Sequence, residues 1–189
     1  MPVSRRHIVV VSSTGLFGCV TAPVDYEDGS PVAPDRAVVL VHPRYSIGRR
    51  PIDLLEVGLT RLESGKPPEN LLFSRVPNNE VSVLAVPLGY YFLRGLRVVG
   101  GGYYRHTFEP RLTLFAARAS QINYPGDWVV EVTVLASSVS GTVARGYVSA
   151  EYEIRATTVE NSVVPALFAS KYPLLNSRLP LKLTRATDN

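Results

Sequence analysis

From residue 37 onward the apolar residues of this chain recur with a period of two. That spacing sends successive side chains to opposite faces of an extended strand, so one face can be buried while the other meets water. Ala37-Val-Val-Leu-Val41 is a continuous, largely β-branched run, the pattern of a buried strand. Residues 52–62, 71–76, 80–86 and 90–99 follow, with turn signals at Ser64-Gly-Lys-Pro-Pro68 and Pro87-Leu-Gly89, and Gly100-Gly-Gly102 closes the last. Within 80–86, Val81, Val83 and Ala85 alternate with Ser82, Leu84 and Val86, which predicts cover on both faces. Residues 111–117, 128–135 and 143–155 complete the set. Eight short strands spaced by about ten to fifteen residues predict a mainly β fold, a sandwich or barrel.

The end of the chain breaks this period. Thr157-Thr-Val-Glu160 has the spacing of a helix capping box, and Val163, Val164, Leu167, Phe168 and Tyr172 continue with helical periodicity up to Pro173. Pro165 lies inside and lacks the N–H that would bond back to Asn161, so it is predicted to kink or divide the helix. The expected organisation is a β-domain over 37–156, a C-terminal helix over 157–175 packed on it, and a tail over 176–189. Val20 to Arg36 contains Pro23, Pro31 and Pro34 with the acids Asp25, Glu27 and Asp28, and reads as a partly extended tether. Those acids lack the alternate spacing of a calcium loop.

The first residues have another character. Arg5 and Arg6 precede an apolar stretch from Ile8 to Gly18, too short to span a bilayer as a helix and of the length of a signal-peptide core. It ends at Cys19, the only cysteine of the chain. Leu16-Phe17-Gly18-Cys19 resembles the bacterial lipobox, in which the cysteine receives the lipid. This implies a signal peptide over 1–18, a lipidated Cys19 with a tether over 19–36, and attachment to the membrane through acyl chains. Ser4-Arg5-Arg6-His7-Ile8-Val9 also resembles a twin-arginine export signal, so two export routes stand open. The other reading is a first strand of a cytosolic domain, with Cys19 a small buried residue.

Composition narrows the function. The formal charge is +4 over 189 residues, and Arg5 and Arg6 of the leader supply two of those charges. Lys66, Lys171 and Lys182 are the only lysines, and the remaining cations are scattered arginines, so no basic stripe marks a nucleic-acid partner. A single cysteine excludes intramolecular disulfides and cysteine-based metal sites. The domain must then stand on its apolar core, for which 46% hydrophobic residues suffice.

Catalytic patterns are absent. Beyond His7 of the leader, His42 and His106 have no second ligand at metal spacing, and isolated histidines of this kind are usually surface residues. No Gly-x-Ser-x-Gly elbow or Ser-x-x-Lys occurs. Gly100-Gly-Gly102 leads into Tyr103-Tyr104 and not into a helix, so it lacks the N-terminus a phosphate cradle needs. No catalytic residue, metal or cofactor is expected. The aromatics offer more. Only one of Tyr90 and Tyr91 can point into the core, and the other must present its ring outward. Tyr91, Tyr103, Tyr104, Arg105 and Trp128 are the candidate partner-binding residues, because exposed Tyr, Trp and Arg anchor interfaces. The plain alternative is that tyrosines simply suit strands.

Val86-Pro-Leu-Gly-Tyr-Tyr-Phe-Leu93 resembles a Val-Pro-Pro-Gly-x-Tyr-x-Leu hairpin segment of small, largely uncharacterised bacterial lipoproteins. Phe115-Ala-Ala-Arg-Ala-Ser-Gln-Ile-Asn-Tyr-Pro-Gly-Asp-Trp-Val-Val130 is similar to their second element, a Gly-x-x-x-Tyr-Ile-Gly-Asp turn. Ser120 stands where that pattern has glycine, and Pro125 where it has isoleucine. The ending Lys171-Tyr172-Pro173 also fits. The likeness covers roughly residues 37–175. It implies a single β-sandwich, immunoglobulin-like or prealbumin-like, with a C-terminal helix, and it brings no activity with it. The expectation is a lipid-anchored, non-catalytic protein of the bacterial envelope, binding an envelope protein or acting as an accessory or inhibitory, immunity-type protein. Val20 after the cysteine, in place of Asp, resembles the pattern sorted to the outer membrane, facing the periplasm. A cell-wall or glycan-binding module and an enzyme with an unrecognised site are the alternatives.

Overall fold

Alternation of β-branched and aromatic residues builds a strand in the described part of each predicted run, and the C-terminal part folds over them. The computed structural model describes residues 24–48, 52–70, 74–98, 105–107, 113–142 and 145–184. The fold is mainly β, with several sheets and short C-terminal helices. Numbered in chain order, β1 (Val24–Asp25), β2 (Arg36–Val41), β7 (Ser82–Pro87), β11 (Ile122–Tyr124) and β14 (Leu181–Leu183) form a sheet in the order β1-β7-β2-β11-β14. A second sheet runs β10 (Leu114–Ala117), β8 (Gly89–Val98), β4 (Leu54–Leu62), β5 (Glu69–Asn70), with β6 (Ser74–Pro77) also on β4 and β9 (Arg105–Thr107) also on β8. A third joins β13 (Arg145–Val159), β12 (Asp127–Thr142) and β3 (Pro43–Ile47).

The inward rows of all three sheets meet in one apolar cluster. Val39 and Val86 come from the first sheet, Leu55, Tyr91 and Phe115 from the second, and Tyr45 and Trp128 from the third. The ring centroids of Tyr91 and Phe115 stack 5.8 Å apart. The opposite face of the first sheet is covered too. Val38, Leu40, Val83 and Ile122 pack against Val164, Phe168 and Leu175 of two helices, α1 (Val164–Lys171) and α2 (Pro173–Arg178). β2 is therefore buried on both faces, which is why its sequence is continuously apolar.

Several expectations change. Thr157, Thr158 and Val159 do not open a helix; they end β13, paired with Val129, Trp128 and Asp127. Three β-branched residues in register with a partner strand favour extension over a helix cap. The helix starts at Val164, with Pro165 in its first turn, where no N–H is needed. Pro173 stops α1 at Lys171 and at once starts α2. The orphan N–H groups of that second helix, on Leu174 and Leu175, donate to Asp28 at 3.1 and 2.8 Å. Residues 24–36 are accordingly not a bare tether, since β1 pairs with β7 and Tyr26 is buried in the helix-side cluster. Within the tail, Leu181–Leu183 form β14, which pairs in parallel with β11. Residues 1–23, including the leader and Cys19, lie outside the described residues.

The Val86–Leu93 segment is also not a hairpin. β7 belongs to the first sheet and β8 to the second, so Pro87-Leu88-Gly89 is a corner between sheets. Gly89 takes φ +152°, and a Cβ there would meet the Arg61 guanidinium at 3.1 Å. Arg61 Nη2 in turn donates to the Leu88 carbonyl at 2.8 Å. Tyr91 Oη donates back to the Pro87 carbonyl at 2.7 Å, locking the corner from its core side.

Candidate functional site

Two adjacent strands leave the first sheet at the same level. β2 and β11 run parallel within it, and their continuations β3 and β12 run parallel in the third sheet. The crossings fall at His42 and at Pro125-Gly126. Gly126 takes φ +95°, and a Cβ on it would press the Val159 carbonyl at 3.1 Å, so the turn demands glycine. Asp127 then opens β12 with no solvent exposure and gathers the polar groups of the junction. Tyr124 Oη donates to its Oδ1 at 2.6 Å, and His42 Nδ1 lies 2.9 Å from the same oxygen. Asn161 Nδ2 donates to Oδ2 at 2.9 Å, and Arg44 Nε lies 3.2 Å away.

Burial, the largest single influence, pushes the Asp127 carboxyl up. The bonds from His42, Tyr124 and Asn161 together outweigh it and hold the carboxyl below its ordinary value. Tyr124 moves the other way: burial first, then bonding to the carboxylate, raise its hydroxyl well above its usual range. Both carboxylate oxygens are occupied, and His42 is 4% exposed. Such a cluster ties two strand crossings and the β13–α1 link together. His42 is thus a buried junction residue and not the surface histidine expected from sequence. Among the described residues no three His, Cys, Asp or Glu side chains gather into a metal site.

The surface candidate is the outer face of the second sheet. Registers β10–β8 and β8–β4 set Ala116, Tyr90 and Leu62 in one row, and Leu114, Phe92 and Thr60 in the next. Tyr90 is 58% exposed on a strand whose other face buries Tyr91, Leu93 and Leu96. Further along the same face, Arg75, Glu56, Arg97 and Arg105 stand in one row across β6, β4, β8 and β9. Glu56 is nearly buried and paired by Arg75 at 3.4 Å and by Arg97. This register places three arginines with one glutamate toward the other end of β8 from Tyr90.

Of the residues expected to bind a partner, Tyr91 and Trp128 are core residues with no exposure. Tyr91 faces inward because Leu93, which shares its parity, fills the core. Parity alone did not decide this, since Arg94 shares the parity of Tyr90 but Arg97 shares that of Tyr91, and a register shift opposite Gly58 and Leu59 changes the face along β8. Trp128 points inward in the same row as Val130 and Val132. Arg105 lies on β9 opposite Arg97. Tyr103 and Tyr104 lie outside the described residues. A separate cleft of about 360 Å³ lies between residues 26–38, Ser120 and α2, with Arg36 and Arg178 at its rim. Arg178 is engaged there with the Gly29 carbonyl at 3.1 Å.

No helix among the described residues is long and apolar enough to cross a membrane. No protein-family model matches the chain, and neither a curated protein nor a solved structure is significantly similar to it.

Proposed function

We propose that this chain is a lipid-anchored, non-catalytic binding protein of the bacterial envelope. Cys19 carries the lipid, and a single β-sandwich of immunoglobulin-like or prealbumin-like type presents the outer face of its second sheet to an envelope protein. The anchor rests on the Arg-Arg, apolar, Gly-Cys order of residues 5–19. The sandwich reading is supported by the single apolar cluster shared among the sheets. Val20 favours the outer membrane, facing the periplasm.

The observation that carries the binding face is Tyr90. A large aromatic side chain held mostly exposed on a strand, with Phe92 on the same face, has the make-up of an interface anchor. The buried carboxylate Asp127, by contrast, is bonded within its own junction. Aromatic rings on a flat sheet also stack on sugars, so a glycan of the cell wall is the second reading, and Tyr90 favours it equally.

Capture from detergent-solubilised envelope tests the first reading. Tyr90→Ala should weaken capture by at least about 1 kcal/mol, whereas Glu160→Ala, exposed beyond the end of β13, should leave it unchanged. Retention on purified peptidoglycan, with no protein captured, would move the function to the second reading. Cys19→Ala should abolish lipid labelling and release the protein from the membrane fraction; unchanged labelling would overturn the anchor.

A further inference from the structure

The two helices cover β2 unevenly. Arg36, Val38 and Leu40 share one face of that strand. Val38 and Leu40 are buried in the helix-side cluster, whereas Arg36, at the start of the strand, is only partly buried. The cleft of about 360 Å³ lies at this end, lined by both Arg36 and Val38. α2 and its C-terminal neighbour turn Leu175, Arg178 and Leu179 toward it, a spacing of three and four that puts them on one helix face. Opposite them, Ser120 and Gln121 lead into β11, whose Ile122 pairs with Val38. Tyr26 and Val32 complete the wall. Val38 and Leu175 are buried, and Val32 and Leu179 pack against the same cluster, so the cleft is an apolar recess continuous with the core.

Its charge has one sign. Among the described residues, the lining brings two arginines, Arg36 and Arg178, and no carboxylate. The Asp28 carboxylate, close by in sequence, accepts the N–H groups of Leu174 and Leu175 and is not part of the lining. Arg178 Nη1 donates to the Gly29 carbonyl at 3.1 Å, one contact of a group that carries five N–H donors. Burial raises the Tyr26 hydroxyl above its ordinary value, and the Arg178 charge acts against that rise, so guanidinium and phenol are within electrostatic reach. The Tyr26 hydroxyl itself donates to the Ser30 carbonyl.

We propose that this cleft binds a small aliphatic monocarboxylate. The carboxylate pairs with Arg36, Arg178 adds positive charge, and the alkyl chain lies against Val32, Val38, Leu175 and Leu179. Two cations without a facing acid select an anion, and the planar fork of arginine meets both oxygens of a carboxylate. The apolar wall selects the tail: inorganic phosphate would leave it uncovered, and a neutral chain would leave the guanidinium without a counter-charge. The volume stands at the low end of ligand pockets, which span about 300–1,000 Å³, and limits the chain to medium length. This site is separate from the Tyr90 face and does not depend on it.

NMR titration of the full chain with octanoate, octanol and inorganic phosphate tests the proposal. Octanoate should bind with Kd on the order of 1 mM. Its shifts should centre on residues 26–38, 119–121 and 175–179. Octanol and phosphate should each bind about tenfold more weakly or worse, since each lacks one half of the match. Arg36→Gln should weaken octanoate by about tenfold or more and leave octanol unchanged. Ala33→Trp, at an exposed position on the lining, should block the cleft and keeps the test decisive if Arg36→Gln proves unstable on melting. An octanoate titration without shifts, shifts centred on Tyr90, octanol or phosphate binding as tightly as octanoate, or a folded Arg36→Gln or Ala33→Trp variant with wild-type octanoate affinity would each overturn it.

Discussion

The hydroxyl of Tyr91 donates to the carbonyl of Pro87, four residues back and 2.7 Å away, across the corner where the chain passes from one sheet to another. The ring is fully buried against Phe115, so a single side chain serves both as core filler and as corner lock. Tyr91→Phe keeps the ring and removes the bond. It should cost about 1 kcal/mol and lower Tm by roughly 2–4 °C, read by thermal unfolding. A Tm unchanged within error would show that the corner is held by Gly89 and Arg61 without it.

Stability should bend at both ends of the pH scale through the Asp127 junction. The folded carboxyl sits below its ordinary value, so on acidification the unfolded chain takes up this proton first, near about pH 3.9. The stabilisation from Asp127 is thus complete above that pH and is lost as the pH falls toward the lower, folded value. Tyr124 has the opposite sign. Its hydroxyl is raised in the folded state, so its contribution is complete below about pH 10 and is lost as the pH climbs above it. Urea midpoints measured against pH should show a flatter acid limb in Asp127→Asn and a flatter alkaline limb in Tyr124→Phe. Limbs identical to wild type would contradict this assignment.

Trp128 and Tyr90 should separate stability from binding. Trp128→Ala empties a fully buried site and should destabilise by about 3–5 kcal/mol. Tyr90→Ala lies on the exposed face and should change stability by no more than about 0.5 kcal/mol. Denaturant unfolding of both variants decides it; a large loss in Tyr90→Ala would make that ring structural.

Ser120 occupies the left-handed region at φ +59°. An L-residue there costs about 1–2 kcal/mol relative to right-handed backbone, while glycine gives back part of the gain through the greater freedom of its unfolded chain. Ser120→Gly should therefore stabilise modestly, by roughly 0.5 kcal/mol, visible as a raised urea midpoint. A lowered midpoint would mean that the serine side chain holds the turn.

The sequence by itself determined the local state of most of the chain. The apolar run over 37–41 and the alternating runs over 52–62, 80–86 and 90–99 contain β2, β4, β7 and β8 because alternation and β-branching act between near neighbours, independent of what packs on them. The same locality explains the turn at Gly126-Asp127 and the covered faces of β2. What no local pattern contains is which strand lies beside which. The Val86–Leu93 segment has the residues of a hairpin, yet β7 and β8 belong to different sheets, because Gly89 and the Tyr91–Pro87 bond turn the chain through a corner. Thr157 and Glu160 have capping-box spacing, but pairing with β12 outweighed a helix cap. Very short strands such as β1, β9 and β14 have no periodicity of their own and exist only because a partner edge completes their hydrogen bonds. The Asp127 junction was illegible for the same reason: His42, Tyr124, Asp127 and Asn161 are separated by up to 119 positions in the chain and meet only where two parallel strands cross between sheets. Composition and parity decided what each residue prefers; long-range pairing decided which preferences could be satisfied together.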